Sequence, residues 1–318
     1  MRAPFAQLAG VRILVTGGSG LIGRATVNHL HSLGAEVTVF DLAIRPDVGF
    51  AKQIEGDVTD QMAVRAAVHG ADAVVHLAGV AGAGIADPAK TYATNTIGTF
   101  LVLIESARAG MSKVVFASSI NANGYPLNTD AVAPASFPYD ESLVPKIGDW
   151  YSLSKLANED AAKMVNARWG LPVTGLRFPL VRDITSDGGQ RFGRHIRDAI
   201  RTDPRRQACE GFSYLDVSDA ARALVAALTH ETPAAPGILV AAPRTYLSNP
   251  TPEALQHFLP GVAVQGQLQG RAVGLDLRRA DRTLAFRAQV LLEDVAEDQL
   301  IDLFTLDQFP LEGANHEQ

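Results

Sequence analysis

The sequence predicts an α/β protein, a Rossmann-like doubly wound parallel sheet with a smaller interwoven C-terminal substrate lobe. Three observations predict it. Short β-branched runs alternate with longer stretches of helical apolar spacing, a glycine cluster separates the first run from the first such stretch, and an aspartate closes the second run. Such alternation implies parallel strands with right-handed crossovers, and it puts a ligand at the carboxyl ends of the strands.

Residues 11–16 (VRILVT) form the first expected strand, residues 21–33 the first helix and residues 36–40 the second strand. Strands at 73–77, 113–117 and 173–178 continue the series, separated by helices near 60–68, 91–109 and 151–169. Beyond Arg182 the regularity weakens. Residues 183–211 are rich in Gly and Arg, residues 214–228 return to a strand end and helix, and the remainder is Pro-rich. The expected division is a dinucleotide-binding domain over 1–182, with 212–230 returning to it, and a lobe over 183–318 that mainly binds substrate.

Composition narrows the function classes. Across 318 residues, 28 Lys+Arg stand against 34 Asp+Glu, a net charge of −6 that disfavours binding to nucleic-acid phosphates. The single cysteine, Cys209, excludes an internal disulfide or a multi-cysteine metal site. The eight histidines show no metal-binding pattern. No run approaches the roughly 18 apolar residues of a membrane span. The expectation is a cytoplasmic protein acting on a small molecule, with no membrane and no nucleic-acid partner.

Gly17, Gly20 and Gly23, with Ser19, Leu21 and Ile22 between them, lie where a strand turns into a helix. Missing Cβ atoms let the backbone approach a pyrophosphate, and the helix start favours its charge. Asp41, ending the next strand, can accept hydrogen bonds from an adenosine ribose diol and would repel a 2′-phosphate, which selects NAD. Arg45 is the competing feature, since it could meet such a phosphate.

Further along stand Gly56-Asp57-Val58, His76-Leu77-Ala78-Gly79, Asn95, Ala117-Ser118-Ser119, Tyr151-Ser152-Leu153-Ser154-Lys155 and Leu176-Arg177-Phe178-Pro179. Together with the TGGSGLIG loop, this ordered set resembles the extended short-chain dehydrogenase/reductases of the NAD-dependent epimerase/dehydratase type, over approximately residues 10–230. The resemblance implies NAD as cofactor, with Asp57 and Val58 bordering the adenine. Leu77, Ala78, Gly79, Phe178 and Pro179 would belong to the cofactor wall, and Lys155 would reach the nicotinamide ribose. Asp57 has a second reading, as the cap of the helix starting near Asp60. The resemblance also implies a homodimer through the helices at 91–109 and 151–169.

Tyr151 and Lys155 share a helix face one turn apart. A free tyrosine has a pKa near 10, and a nearby ammonium and the nicotinamide charge would lower it enough for proton transfer. Ser119 would hold the same substrate oxygen, with Ser118 as the competing hydroxyl. Asn95 would help organise a water beside the lysine, or else pack between helices.

The dehydratases of this family place acidic residues after the serine. Here Ile120 and Asn121 follow, which removes that elimination chemistry. Nucleotide-sugar enzymes commonly carry an Asn after the sixth-strand Arg, and Phe178-Pro179-Leu180-Val181-Arg182 lacks it. Asn121 and Asn123 are amides suited to hydroxyl groups, and Arg182 follows a strand end, so these three and Ser119 are the substrate candidates. Arg182, Arg191, Arg194, Arg197 and Arg201 form a basic set that could clamp a carboxylate or phosphate, and the last four read otherwise as one solvated helix face. The leading expectation is an NAD-dependent oxidoreductase transferring hydride at a secondary alcohol or ketone carbon of a small, polyhydroxylated, sugar-like or sugar-acid substrate. The alternatives are a nucleotide-sugar epimerase using transient oxidation by tightly bound NAD, and a non-catalytic NAD-sensing or scaffold protein.

Overall fold

The computed structural model describes residues 5, 7–130, 132–231 and 234–305. Its main sheet has seven strands: β1 (Arg12–Thr16), β2 (Glu36–Asp41), β3 (Lys52–Glu55), β4 (Ala73–His76), β5 (Lys113–Ser119), β6 (Val173–Phe178) and β7 (Ala235–Leu239). They are ordered β3-β2-β1-β4-β5-β6-β7, and every pairing is parallel. The direction of winding reverses between β1 and β4, and a crevice opens there at the carboxyl ends.

Successive side chains explain why both faces are covered. Ile13, Val15, Val75 and Val115 enter one core with helices α1 (Leu21–Ser32) and α7 (Val217–Thr229), and their neighbours Leu14, Val74 and Val114 enter the other. That second core holds α2 (Gln61–Val68), α3 (Pro88–Arg108) and α4 (Trp150–Trp169). Strands buried on both sides read as continuous apolar runs, as these do. Aspartate side chains start the helices: Asp60 accepts from Met62 and Ala63 N–H, Asp87 from Ala89 and Lys90, and Asp149 from Ser152.

Two strands differ from expectation. β3 (KQIE) is a partly exposed edge with little apolar content, and β7 (APGIL) contains Pro236 and a register shift between Ala235 and Ile238. Both are edge strands, where proline and polar residues are tolerated.

The lobe has its own core. Phe192 and Ile196 of α5 (Gln190–Thr202), Ala208 and Cys209 of α6 (Pro204–Cys209), and Tyr214 and Tyr246 pack with Phe137 and Tyr139, which precede α4. The lobe recruits residues between β5 and α4, and the sheet takes up β7 after the lobe has begun. Leu180–Arg182 and Tyr214–Asp216 pair in parallel as a short ribbon joining the two parts. Among the described residues, no helix is long and apolar enough to cross a membrane.

Candidate functional site

A cavity of about 520 Å3 opens along the crevice. At one end lies the β1–α1 loop. Gly17 has φ +71°, and a Cβ there would sit 2.5 Å from Ala78 N; a Cβ on Gly23 would sit 2.1 Å from Gly17 O. Only glycine permits this packing. The N-terminus of α1 has no side-chain cap, and Gly20, Leu21, Ile22 and Gly23 line the cavity there. Uncapped N–H groups at a helix start suit a pyrophosphate, so the cradle fits a dinucleotide.

Asp41 is outside the cavity wall, behind the loop. Its Oδ2 accepts from Ser19 N–H at 2.8 Å and its Oδ1 from Leu42 N–H at 2.7 Å, while Ser19 Oγ donates to Ala43 O at 2.9 Å. Asp57 accepts from the backbone N–H and hydroxyl of Thr59, both at 2.8 Å. It does not cap α2, because Asp60 does. Val58 is buried against α3 beside Gly98.

Leu77 and Gly79 line the cavity, and Ala78 N–H leans on Thr16 Oγ1 at 3.4 Å. Beneath them, His76 joins Thr16 Oγ1 (2.6 Å) to Thr99 Oγ1 (3.0 Å), and burial lowers its pKa to about 3, so it is neutral. Asn95 was expected to organise a water beside the lysine or to pack between helices. Its Oδ1 accepts from Val80 N–H at 2.7 Å, and its Nδ2 donates to Val80 O at 3.0 Å and to Ser154 Oγ at 3.1 Å. Its amide ties the loop after β4 to α4, so it is a positioning residue.

Ser119, Tyr151 and Lys155 all line the cavity and are all buried. Ser119 Oγ accepts from Asn121 N–H at 3.1 Å. Ser118 is occupied elsewhere: its Oγ donates to Glu159 Oε1 at 2.6 Å, inside the buried pair of Glu159 with Arg177. Lys155 Nζ donates to Ala117 O at 3.0 Å and stands 5.6 Å from the Tyr151 ring centroid. Burial lowers the Lys155 pKa to about 8. Burial also pushes the Tyr151 phenol up to about 12, with Ser119 pulling it back through a hydrogen bond. Burial is the largest influence on the phenol, and the Lys155 ammonium stands over its ring.

The far wall is formed by Asn121, Phe178, Pro179 and Arg182, together with residues that sequence reasoning missed: His195 on α5, Arg206 on α6 and Glu210 just after it. Spacing in a Gly- and Arg-rich stretch carried no signal to separate them from their neighbours. Asn121 Oδ1 is buried without a partner among the described residues. Asn123 does not line the cavity; its Oδ1 accepts from Tyr125 N–H at 2.9 Å. Arg191 and Arg201 face acidic neighbours, Asp187 and Asp198, on the helix exterior.

The profile of the NAD dependent epimerase/dehydratase family matches residues 13–242. A UDP-glucose 4-epimerase of Neisseria meningitidis serogroup C is 32% identical over 149 residues, covering 42% of each chain, so the match spans about two fifths of that relative. A 2-alkyl-3-oxoalkanoate reductase of Stenotrophomonas maltophilia is 27% identical over 291 residues, 90% of this chain and 82% of that one. Two solved structures share the fold at 23% identity. One is a short-chain dehydrogenase/reductase superfamily protein from Agrobacterium tumefaciens with bound NAD (TM-score 0.67, 91% and 96% of the two chains). The other is a UDP-glucose 4-epimerase from Thermotoga maritima with UDP-glucose (TM-score 0.66, 90% and 96%). With the fold, the glycine cradle and the family profile in agreement, this chain belongs to the NAD-dependent epimerase/dehydratase family.

Proposed function

We propose that the chain transfers hydride between NAD and a secondary alcohol or ketone carbon of a small polyhydroxylated substrate, with Ser119, Tyr151 and Lys155 as its catalytic residues. The observation that carries this reading is the convergence of all three, buried, on one cavity with the glycine cradle. The N–H groups around Gly20 and Gly23 would hold the pyrophosphate, Asp41 the adenosine ribose and Lys155 the nicotinamide ribose. NAD, when bound, supplies the hydride acceptor or donor. Tyr151 Oη takes the proton from the substrate hydroxyl or returns it to the ketone oxygen, and Ser119 Oγ fixes that oxygen at hydrogen-bond distance. A phenol pushed up to about 12 is a reluctant base. A charged Lys155 and a positively charged nicotinamide both favour phenolate, so the proton is removed most easily with cofactor in place.

A second reading, transient oxidation and inversion of a nucleotide sugar, uses the same three residues. It is favoured by the relatives and neighbours that are UDP-glucose 4-epimerases. Net oxidation or reduction is favoured by the reductase match over 90% of the chain and by Pro179-Leu180-Val181-Arg182, which offers no amide to a nucleotide sugar. Incubation with NAD and a panel of sugars, sugar acids, polyols and UDP-glucose separates the two. Stoichiometric NADH accumulation is expected. UDP-galactose formed without net NADH would replace the first reading with the second, and full activity in Tyr151→Phe would sink both.

The same reading includes a homodimer. Tyr92, Ile97 and Phe100 of α3 and Leu153 and Met164 of α4 are exposed apolar residues on two helices that pack side by side. A paired set of such helices would cover them.

A further inference from the structure

The far wall of the cavity holds more positive charge than the reaction needs. Arg206 Nε donates to Glu210 Oε1 at 3.1 Å; the carboxylate side chain is 7% exposed and the guanidinium 40%. The acid is therefore engaged by the arginine at the cavity wall. Nη1 and Nη2 of Arg206 make no hydrogen bond among the described residues and form the open edge of the fork. Arg182, on the same wall, donates only to Val181 O at 2.9 Å among the described residues. Among the described residues Glu210 is the sole carboxylate lining the cavity, against two guanidiniums, and His195 lines it too. Proximity is supported electrostatically, because Arg206 acts on Tyr151 and both arginines act on His195. The other arginines of this region differ, as Arg191 faces Asp187 and Arg201 faces Asp198 outside the cavity. Beside the serine, the buried and unpartnered Asn121 Oδ1 asks for a hydroxyl donor.

We infer that the substrate carries an oxyanion, a carboxylate or a phosphate, beyond its reacting hydroxyl, and that Arg206 binds this group with Arg182 while Asn121 accepts a neighbouring hydroxyl. Glu210 is the positioning residue that fixes the Arg206 fork. A half-buried guanidinium with one edge already held loses little freedom on binding, and its second edge matches two oxygens of one anion. This inference rests on the proposed hydride transfer.

The test compares kcat/KM for aldonates, uronates and sugar phosphates with their neutral aldoses and with UDP-glucose, in the full-length protein supplied with NAD. The anionic substrate should exceed its neutral counterpart by roughly 100-fold, the loss expected when a charge-assisted bidentate contact is missing. Arg206→Ala should lower that ratio at least about tenfold and Arg206→Lys by less, since lysine keeps the charge without the fork. Glu210→Gln should raise KM for the anion with kcat held within about twofold. Arg191→Ala is the control and should leave the ratio unchanged. Carboxylate against phosphate substrates identifies which anion is used. Equal use of neutral and anionic substrates, a ratio indifferent to Arg206→Ala in a protein that melts like wild type, or turnover of UDP-glucose alone with no dependence on Arg206 would overturn the inference. If nothing turns over, the proposed function fails separately. Stabilisation by gluconate and by inorganic phosphate in a thermal melt, present in wild type and lost in Arg206→Ala, then still supports the anion site, and its absence in wild type overturns it.

Discussion

Replacing Glu159 with alanine should lower the unfolding free energy by about 3–5 kcal/mol, the range for leaving a buried charge without its partner. Glu159 is 3% exposed and Arg177 8% exposed, so water can replace little of what is lost. The carboxylate accepts three hydrogen bonds: from Arg177 Nε at 2.9 Å, from Arg177 Nη2 at 2.8 Å and from Ser118 Oγ at 2.6 Å. Removing it strands a guanidinium and a hydroxyl in the interior, between the ends of β5 and β6. An exposed pair gives the contrast: Lys163 with Asp160 has side chains 59% and 63% exposed, and its loss should cost less than about 1 kcal/mol. Urea unfolding followed by circular dichroism, with an unchanged m-value, measures both. Adding Arg177→Met to Glu159→Ala should recover part of the loss, because an apolar pair leaves no orphaned charge. A loss below about 1 kcal/mol for Glu159→Ala, or a double variant worse than the sum of the singles, would refute the reasoning.

Tyr151→Phe should reduce kcat/KM by about 10²–10⁴-fold while NAD binding, read by calorimetry, is retained, since the ring is kept and only the proton carrier is lost. Asp41→Ser should narrow the preference for NAD over NADP by removing the charge that repels a 2′-phosphate, as measured by the ratio of the two KM values. His76, held neutral by burial with a pKa of about 3 against 6.5 when exposed, binds fewer protons folded than unfolded between those values. Stability should therefore fall as the pH drops from about 6.5 toward 3, and urea titrations of His76→Gln should show a shallower slope in that window. Phe100→Asp on the exposed face of α3 should yield a monomer by light scattering where the parent chain is a dimer; a parent that is already monomeric refutes the proposed interface.

The inner strands and the cofactor loop were legible because burial on both faces forces unbroken apolar runs, and because a tight approach such as that of Gly17 to Ala78 admits no side chain. β3 and β7 were not, because an edge strand needs neither apolar continuity nor every N–H, as KQIE and APGIL show. The preference for Ser119 over Ser118 follows the family resemblance, and the commitment of Ser118 to Glu159, which supports it, is a contact across 41 residues. Asn95 and Asp57 illustrate the opposite problem. Polar residues in a matching motif have many possible partners, and only the folded chain shows Asn95 bridging Val80 and Ser154. Arg206 and Glu210 were invisible for a related reason: in a stretch crowded with arginine, the one that faces the cavity is selected by how α6 packs on the lobe.

The return of the chain to β7 bears on how the protein assembles. β6 ends at Phe178 and its neighbour β7 begins only at Ala235, so the intervening lobe must be threaded before the sheet can acquire its last strand. Closing so long a loop is slow relative to the local β–α–β units that precede it. During synthesis, the earlier strands should therefore wait with β6 as a bare edge until the lobe has emerged. Once joined, β7 is tied to its surroundings by Arg279 donating to Gly237 O and by Leu239 N–H donating to Glu141. A fragment cut after residue 182 would lack that closing strand and would leave an open sheet edge to pair with other chains.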